Sequence, residues 1–285
     1  MINESELEKL NEEFRKEDIE PRRRPFEALR RISMQTNRSI IFPSAEADFV
    51  FKWFEANTKP GAHTVGFQHQ GTYYYDSTFW SVNIPIIFGS VQLNALDALH
   101  EMPQKIKDNL YGNRKAIWDY IIFWADCIDF GYAYDDLYKD KNHDTFGRQL
   151  LCAGYEELSS ATTLLLEHRP NKRAIMNCRM ATEMLLKCFI ALKDGLTETQ
   201  AKKLGHNLEN IFVNFLEVSG YQHLAEIKNL LRVFPDIHER YKAQEADNLS
   251  LFNGYCFAQS IGALIARAFT DRNTLPQVMP SNKPN

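Results

Sequence analysis

Apolar residues along this chain follow two rhythms. Over residues 4–20, and again from Leu151 to Ala268, they return at steps of three and four, the spacing of a helix with one buried face. Around Tyr73 they crowd together with β-branched residues at the density of paired strands. The first helix, charged and striped only by Leu7, Leu10 and Phe14, closes at Pro21. A second runs from Phe26 to about Gln35, a short strand is expected at Ser39 to Phe42, and Ser44 caps an aromatic helix that stops at Lys59-Pro60-Gly61. Strands are then expected from His63 to His69 and from Thr72 to Val82, about a turn at Gln70-Gly71. Ile84 to Phe88 is a candidate third strand, and Pro85 suits it to an edge. So small a sheet needs cover from the flanking helices. Helices return at Val91 to Glu101 and from Gln104 to Asp136, the latter split at Gly112-Asn113 and carrying the apolar run Ile117 to Phe130.

The remainder reads as a bundle. Leu151, Tyr155, Leu158, Thr162 and Leu165 stripe one helix, and Ala174, Cys178, Ala181, Leu185, Cys188 and Leu192 a second. Leu208, Ile211, Phe215 and Val218 mark a third, extended by Leu224, Ile227 and Leu231, while Phe257, Ile261, Leu264 and Ala268 mark the last. The expected fold is mainly α: a four- or five-helix bundle preceded by a mixed α+β region with a small two- or three-stranded antiparallel sheet. The polar run Lys139 to Asp144 sets the expected boundary, giving a mixed region over 1–140, a bundle over 141–272 and a flexible tail over 273–285.

Chemistry concentrates between Cys178 and Asn210. Glu183 and Lys187 stand four apart on one helix face with Glu N-terminal, the better orientation for a helical ion pair. Asp194-Gly195 stops that helix, Thr197 caps the next, and Lys203-Leu204-Gly205-His206 leads into the Leu208 helix. Ala181-x-Glu183-x-Leu185-x-Lys187, the Lys-x-Gly-His step and the following Leu-x-x-Ile helix together resemble the HEPN superfamily, all-helical domains named for nucleotide binding in higher eukaryotes and prokaryotes. Glu239-Arg240-Tyr241 looks like the Arg-Tyr found before the last helix in many members, so the resemblance covers roughly Thr145 to Arg272. It implies a homodimer that binds RNA, a nucleotide or a protein partner. Lys203, His206, Arg240 and Tyr241 are its candidate ligand contacts, and Glu183, Lys187 and Gly205 its structural residues. His206 has two readings, a phosphate contact alongside Lys203 or a packed residue after the permissive Gly205, and the packed reading is favoured. A buried bridge is likewise favoured over a site for Glu183 and Lys187.

Catalytic members of that family carry an arginine and a histidine four to six residues apart, and Arg232 and His238 have this spacing. Such a histidine could move a proton at the 2′-hydroxyl or the leaving oxygen while the arginine stabilises the charged phosphorane, with no metal required. That is the chemistry of a toxin-antitoxin or phage-defence ribonuclease. Val233 stands where active members place a polar residue, and Pro235 breaks the helix that would hold the pair on one face. A non-catalytic binding module is therefore the first expectation and a ribonuclease the alternative.

Composition changes the picture little. A net charge of −4 argues against a dominantly basic nucleic-acid binder and confines any RNA contact to a local patch. Arg22-Arg23-Arg24 between two prolines reads as a solvated linker rather than a phosphate-contacting arm. Five scattered cysteines without a Cys-x-x-Cys read as buried thiols in a cytoplasmic protein. The N-terminus lacks the apolar core of a signal peptide, and no run reads as a membrane span. His63, His69 and Asp76 are spaced too irregularly for a metal site, and none is expected. Tyr73-Tyr74-Tyr75 could stack bases, but without nearby Lys or Arg it reads as sheet core. No phosphate loop, dinucleotide fingerprint, His-Glu-x-x-His or Gly-x-Ser-x-Gly is present, so no cofactor is expected.

Overall fold

The computed structural model describes residues 2–37, 44–58, 67–87, 91–140 and 145–278. The chain divides into two compact units, Met1–Phe67 and Gln68–Asn285. The expected strand at Ser39 to Phe42, the strand start at His63 and the end of the polar run at Asp144 lie outside the described residues.

The smaller unit contains α1 (Glu4–Lys16), α2 (Arg24–Thr36) and α3 (Ala45–Asn57). Asn3 and Ser44 cap α1 and α3 by accepting from the backbone N–H groups of Glu6 and Ala47. Leu7, Leu10 and Phe14 from α1 meet Ala28, Leu29 and Ile32 from α2 and Val50, Trp53 and Phe54 from α3 in one core. Arg31 on α2 reaches Glu13, Glu17 and Glu27 and ties α2 to α1. Arg24, from the arginine triplet, donates to Asn11 Oδ1 (2.9 Å) and the Ile19 carbonyl (2.8 Å). This arginine fixes the α1–α2 corner and belongs to no solvated linker.

The larger unit is mainly α with one small antiparallel sheet. Strands β1 (His69–Tyr75) and β2 (Thr78–Ile84) pair from His69↔Ile84 to Tyr75↔Thr78. The turn is Asp76-Ser77, both in the left-handed region at φ 51° and 60°, the geometry of a tight two-residue hairpin. The expected turn at Gln70-Gly71 is therefore wrong: both residues lie within β1. Gly71 serves close approach, since a Cβ there would stand 2.9 Å from Cys127 Sγ. No third strand follows among the described residues: β2 ends at Ile84, and Tyr132 Oη donates to the Pro85 carbonyl while accepting from the Ile87 N–H.

A 3-10 turn over Ala95–Leu99 replaces the helix expected at Val91 to Glu101. Next come α4 (Gln104–Gly112) and α5 (Arg114–Lys139), with Asn113 between them capping α5. The bundle proper adds α6 (Thr145–Leu165), α7 (Ala174–Asp194), α8 (Glu198–Leu204), α9 (Leu208–Ser219) and α10 (Asn248–Phe269). Between α9 and α10 the chain runs as 3-10 turns over Gln222–Val233 and Ile237–Tyr241. Helix α6 packs along α7, α7 along α9 and α10, and α10 along α5.

Three expectations need correction here. The bundle does not start after residue 140, because α5 shares one core with α6, α7 and α10: Tyr120, Phe123, Cys127 and Phe130 are buried together with Leu158, Cys178 and Tyr255. Polar contacts reinforce that seam, with Arg267 on α10 bound to Asp126 (2.6 Å) and Asp129 (2.7 Å) on α5. The tail is anchored as far as Val278: Thr274 donates its N–H to Asp129 Oδ1 (2.8 Å), and α11 (Leu275–Val278) packs on α5. On α10, Ala268 is exposed and Gly254, Tyr255, Ala258, Gly262 and Ile265 fill the buried face, so the inner stripe is broader than the sequence period suggested. By length and hydropathy alone α10 would reach across a membrane, but most of it is buried against α5 and α7.

Candidate functional site

Helix α7 is apolar on most of its circumference, yet it buries a charged ladder, Arg179, Glu183 and Lys187, at successive steps of four. Arg179 Nη1 donates to Glu183 Oε2 (3.1 Å) and Lys187 Nζ to Oε1 (2.8 Å). Each cation also holds a neighbouring turn. Lys187 donates to the Gly205 carbonyl (2.6 Å), and Arg179 donates to the carbonyls of His206 (2.7 Å) and Pro235 (3.0 Å). The His206 ring closes the network with Nδ1 2.7 Å from Glu183 Oε1.

This geometry explains the Lys-x-Gly-His step. Helix α8 ends at Leu204, and Gly205, whose φ of 72° and ψ of −148° suit glycine, turns its own carbonyl and that of His206 onto the α7 cations. Burial opposes ionisation of Glu183, but the hydrogen bonds and charges of Lys187 and His206 outweigh it and hold its carboxyl below the usual range. Glu183, Lys187 and Gly205 thus meet in one hydrogen-bonded network. His206 joins it through its ring, although that side chain is largely exposed. Lys203 is exposed on α8 and has no side-chain partner among the described residues.

A second group of candidates lies beyond Pro235. Arg232 ends one 3-10 turn and His238 lies on the next, both exposed, and no hydrogen bond or ion pair engages either side chain among the described residues. Asp236 caps the second turn by accepting from the His238 N–H (2.8 Å). Arg240 and Tyr241 close that turn. Tyr241 is 84% exposed, and the Arg240 guanidinium sits over its ring at 4.7 Å. Arg173, at the start of α7, donates to the Arg240 carbonyl and so joins this turn to the bundle end. Among the described residues Arg173, Arg232 and Arg240 make no ion pair with a carboxylate, whereas Lys242 pairs with Glu239 (3.2 Å). The sequence candidates thus separate into a buried assembly around Glu183 and an exposed stretch from Arg232 to Tyr241, which carries Asp236 and Glu239 as well as its two arginines. Arg179 touches both, through Glu183 on one side and the Pro235 carbonyl on the other.

Sequence reading passed over Arg179, although its place four residues before Glu183 extends the same ladder. It also passed over Asp126 and Asp129, two carboxylates inside the apolar run of α5, whose partner Arg267 lies far along the chain. Burial raises the Asp126 carboxyl above its ordinary value against the opposing pull of Arg267. His69 is enclosed between Tyr155 Oη (3.3 Å) and Gln259 Oε1 (3.0 Å), and burial lowers it to about 4. Among the described residues no group of three or more His, Cys, Asp or Glu side chains could hold a metal ion, and His63 lies outside them. Tyr73 packs against Tyr120 and Phe123 inside the core. No family model, no curated protein and no solved structure matches the chain.

Proposed function

We propose that the larger unit is a HEPN-like, non-catalytic module that binds single-stranded RNA at the edge formed by Arg232, His238, Arg240 and Tyr241, and that it works as a homodimer. The observation that carries this reading is Tyr241: a large aromatic ring left 84% exposed with a guanidinium over it is a surface on which a base can stack and a phosphate can pair. Arg232 adds a cation on the same stretch and Arg173 one bound to the Arg240 carbonyl, neither with a carboxylate partner among the described residues. The Glu183 assembly supports this surface from below by fixing the Pro235 turn and contributes no ligand contact of its own. The homodimer rests on the family resemblance.

Anisotropy of a labelled single-stranded RNA titrated with the full chain tests the reading. Binding should weaken with added salt, and Tyr241→Ala and Arg240→Ala should each lower affinity by about tenfold, the scale of one lost stacked base. Wild-type affinity in both variants would sink the proposal. Light scattering checks the dimer by its mass.

A ribonuclease is the second reading, favoured by one feature: Arg232 and His238 are both exposed, and among the described residues neither side chain has a hydrogen-bond or ion-pair partner. In that case wild-type protein would cut RNA in the presence of a chelator, and Arg232→Ala or His238→Ala would abolish cutting. Intact RNA after prolonged incubation with wild type leaves the binding module.

A further inference from the structure

A cleft of about 590 Å³ opens between the end of α5 and the start of α6, away from the residues assigned above. Its volume lies in the range that holds a small molecule, roughly 300–1,000 Å³. Three features give it a chemical character. The first is a column of nearly parallel rings. Tyr134 stacks on Tyr155 at 3.9 Å and 16°, Tyr138 stacks on Tyr134 at 5.8 Å and 14°, and Tyr155 is seated in the core beside His69 and Phe130. Tyr138 is the outermost ring; it lines the cleft and is 49% exposed. One further planar ring would extend the column.

The second feature is Arg148. Its guanidinium makes only two long hydrogen bonds, Nη1 to the Tyr138 carbonyl (3.4 Å) and Nη2 to Thr145 Oγ1 (3.5 Å). Its Nε is shielded from solvent and has no partner at all. Among the described residues no carboxylate pairs with it, so a cation without a counter-charge lines the cleft together with the exposed ring. The neighbouring Lys139 is already engaged by Asp135 (3.0 Å). The third feature is the far wall. Tyr134 donates to Cys152 Sγ (3.6 Å), and Cys152 Sγ lies 3.5 Å from Glu156 Oε1, leaving the exposed Glu156 carboxylate able to accept from a ligand N–H. One cation and one carboxylate favour a ligand with a single anionic group and discourage a polyanion.

The geometry points to a binding site for a small planar aromatic anion, with its ring on Tyr138, its anionic group on Arg148 and a ring N–H or amino group toward Glu156. A nucleoside monophosphate and an aromatic carboxylate share this chemistry. Calorimetric titration of the full chain with adenosine 5′-monophosphate, indole-3-acetate, adenosine and inorganic phosphate separates the sources. At least one of the first two should bind below about 1 mM, at least roughly tenfold more tightly than its ring or its anion alone. Tyr138→Ala and Arg148→Gln should each cost about tenfold, while Tyr138→Phe, which keeps the ring, should bind as wild type. Both side chains border solvent, and circular dichroism confirms that the variants are folded. The assignment is overturned if neither aromatic anion binds better than its separate parts, or if Tyr138→Ala and Arg148→Gln bind like wild type.

Discussion

Glu183 illustrates how one residue can serve several segments of chain. Its carboxylate is the only anion in contact with Arg179 and Lys187 among the described residues, and those two cations between them satisfy the carbonyls of Gly205, His206 and Pro235. Replacing it with alanine leaves two buried cations uncompensated, a loss on the order of 3–5 kcal/mol that urea unfolding would register. Lys187→Met should cost less, because Arg179 and His206 continue to engage the carboxylate. Acid should act in the same direction. The folded value of Glu183 lies below its unfolded value, so its contribution is present above the ordinary carboxylate range and is lost as pH falls through the depressed value. His69 adds a second, earlier window. The unfolded chain takes up a proton near 6.5 while the folded chain resists until about 4, so stability falls as pH drops between those values, by up to about 1.4 kcal/mol per pH unit. Urea midpoints measured across this range should slope downward toward acid in wild type and flatten in His69→Gln.

At the scale of elements, legibility tracked how local each cause was. Helices α1, α3, α5, α6, α7 and α9 could be read because each has its own apolar period and a capping side chain or turn close in sequence. The hairpin could be read as a hairpin but not in register, because Gly71 is the conventional turn signal and Asp76-Ser77 is not. What decides the register is tertiary: Gly71 is needed where β1 approaches Cys127 of α5, a contact that no local pattern encodes. Ser77 then occupies a left-handed position without being glycine. Ser77→Gly should relieve that strain and raise stability by roughly 0.5–1 kcal/mol, visible as a higher thermal midpoint with the same fold. The candidate site divides along the same line. Glu183 and Lys187 could be paired from their spacing, whereas the hold of Arg179 on Pro235 and of Lys187 on Gly205 required the bundle to bring the turns together. Leu224, Ile227 and Leu231 keep a helix-like period, yet the segment winds as a 3-10 turn, which turns near three residues at a time and uses the same apolar positions.

For the whole molecule, the decisive helix is α5. A helix apolar around most of its circumference cannot border a domain, because such a surface must be covered on several sides. Tyr120, Phe123, Trp124, Cys127 and Phe130 are all buried, and α5 meets β1, α4, α6 and α10. Burying one large apolar side chain stabilises by roughly 1.5–3 kcal/mol, so removing α5 would strip more from the bundle than the 5–15 kcal/mol by which a domain is ordinarily stable. It would also leave Arg267, largely buried on α10, without Asp126 and Asp129. Lys139, at the end of α5, therefore marks no domain boundary, and the boundary that matters lies between Phe67 and Gln68. A fragment of residues 68–285 should unfold in urea as one cooperative transition and keep a near-ultraviolet dichroism signal from its packed aromatics. A fragment of residues 141–285 should lack both and be cut rapidly by protease throughout the α7 and α10 segments. Cooperative unfolding of the shorter fragment would return α5 to a separate domain and leave its buried contacts with α10 unexplained.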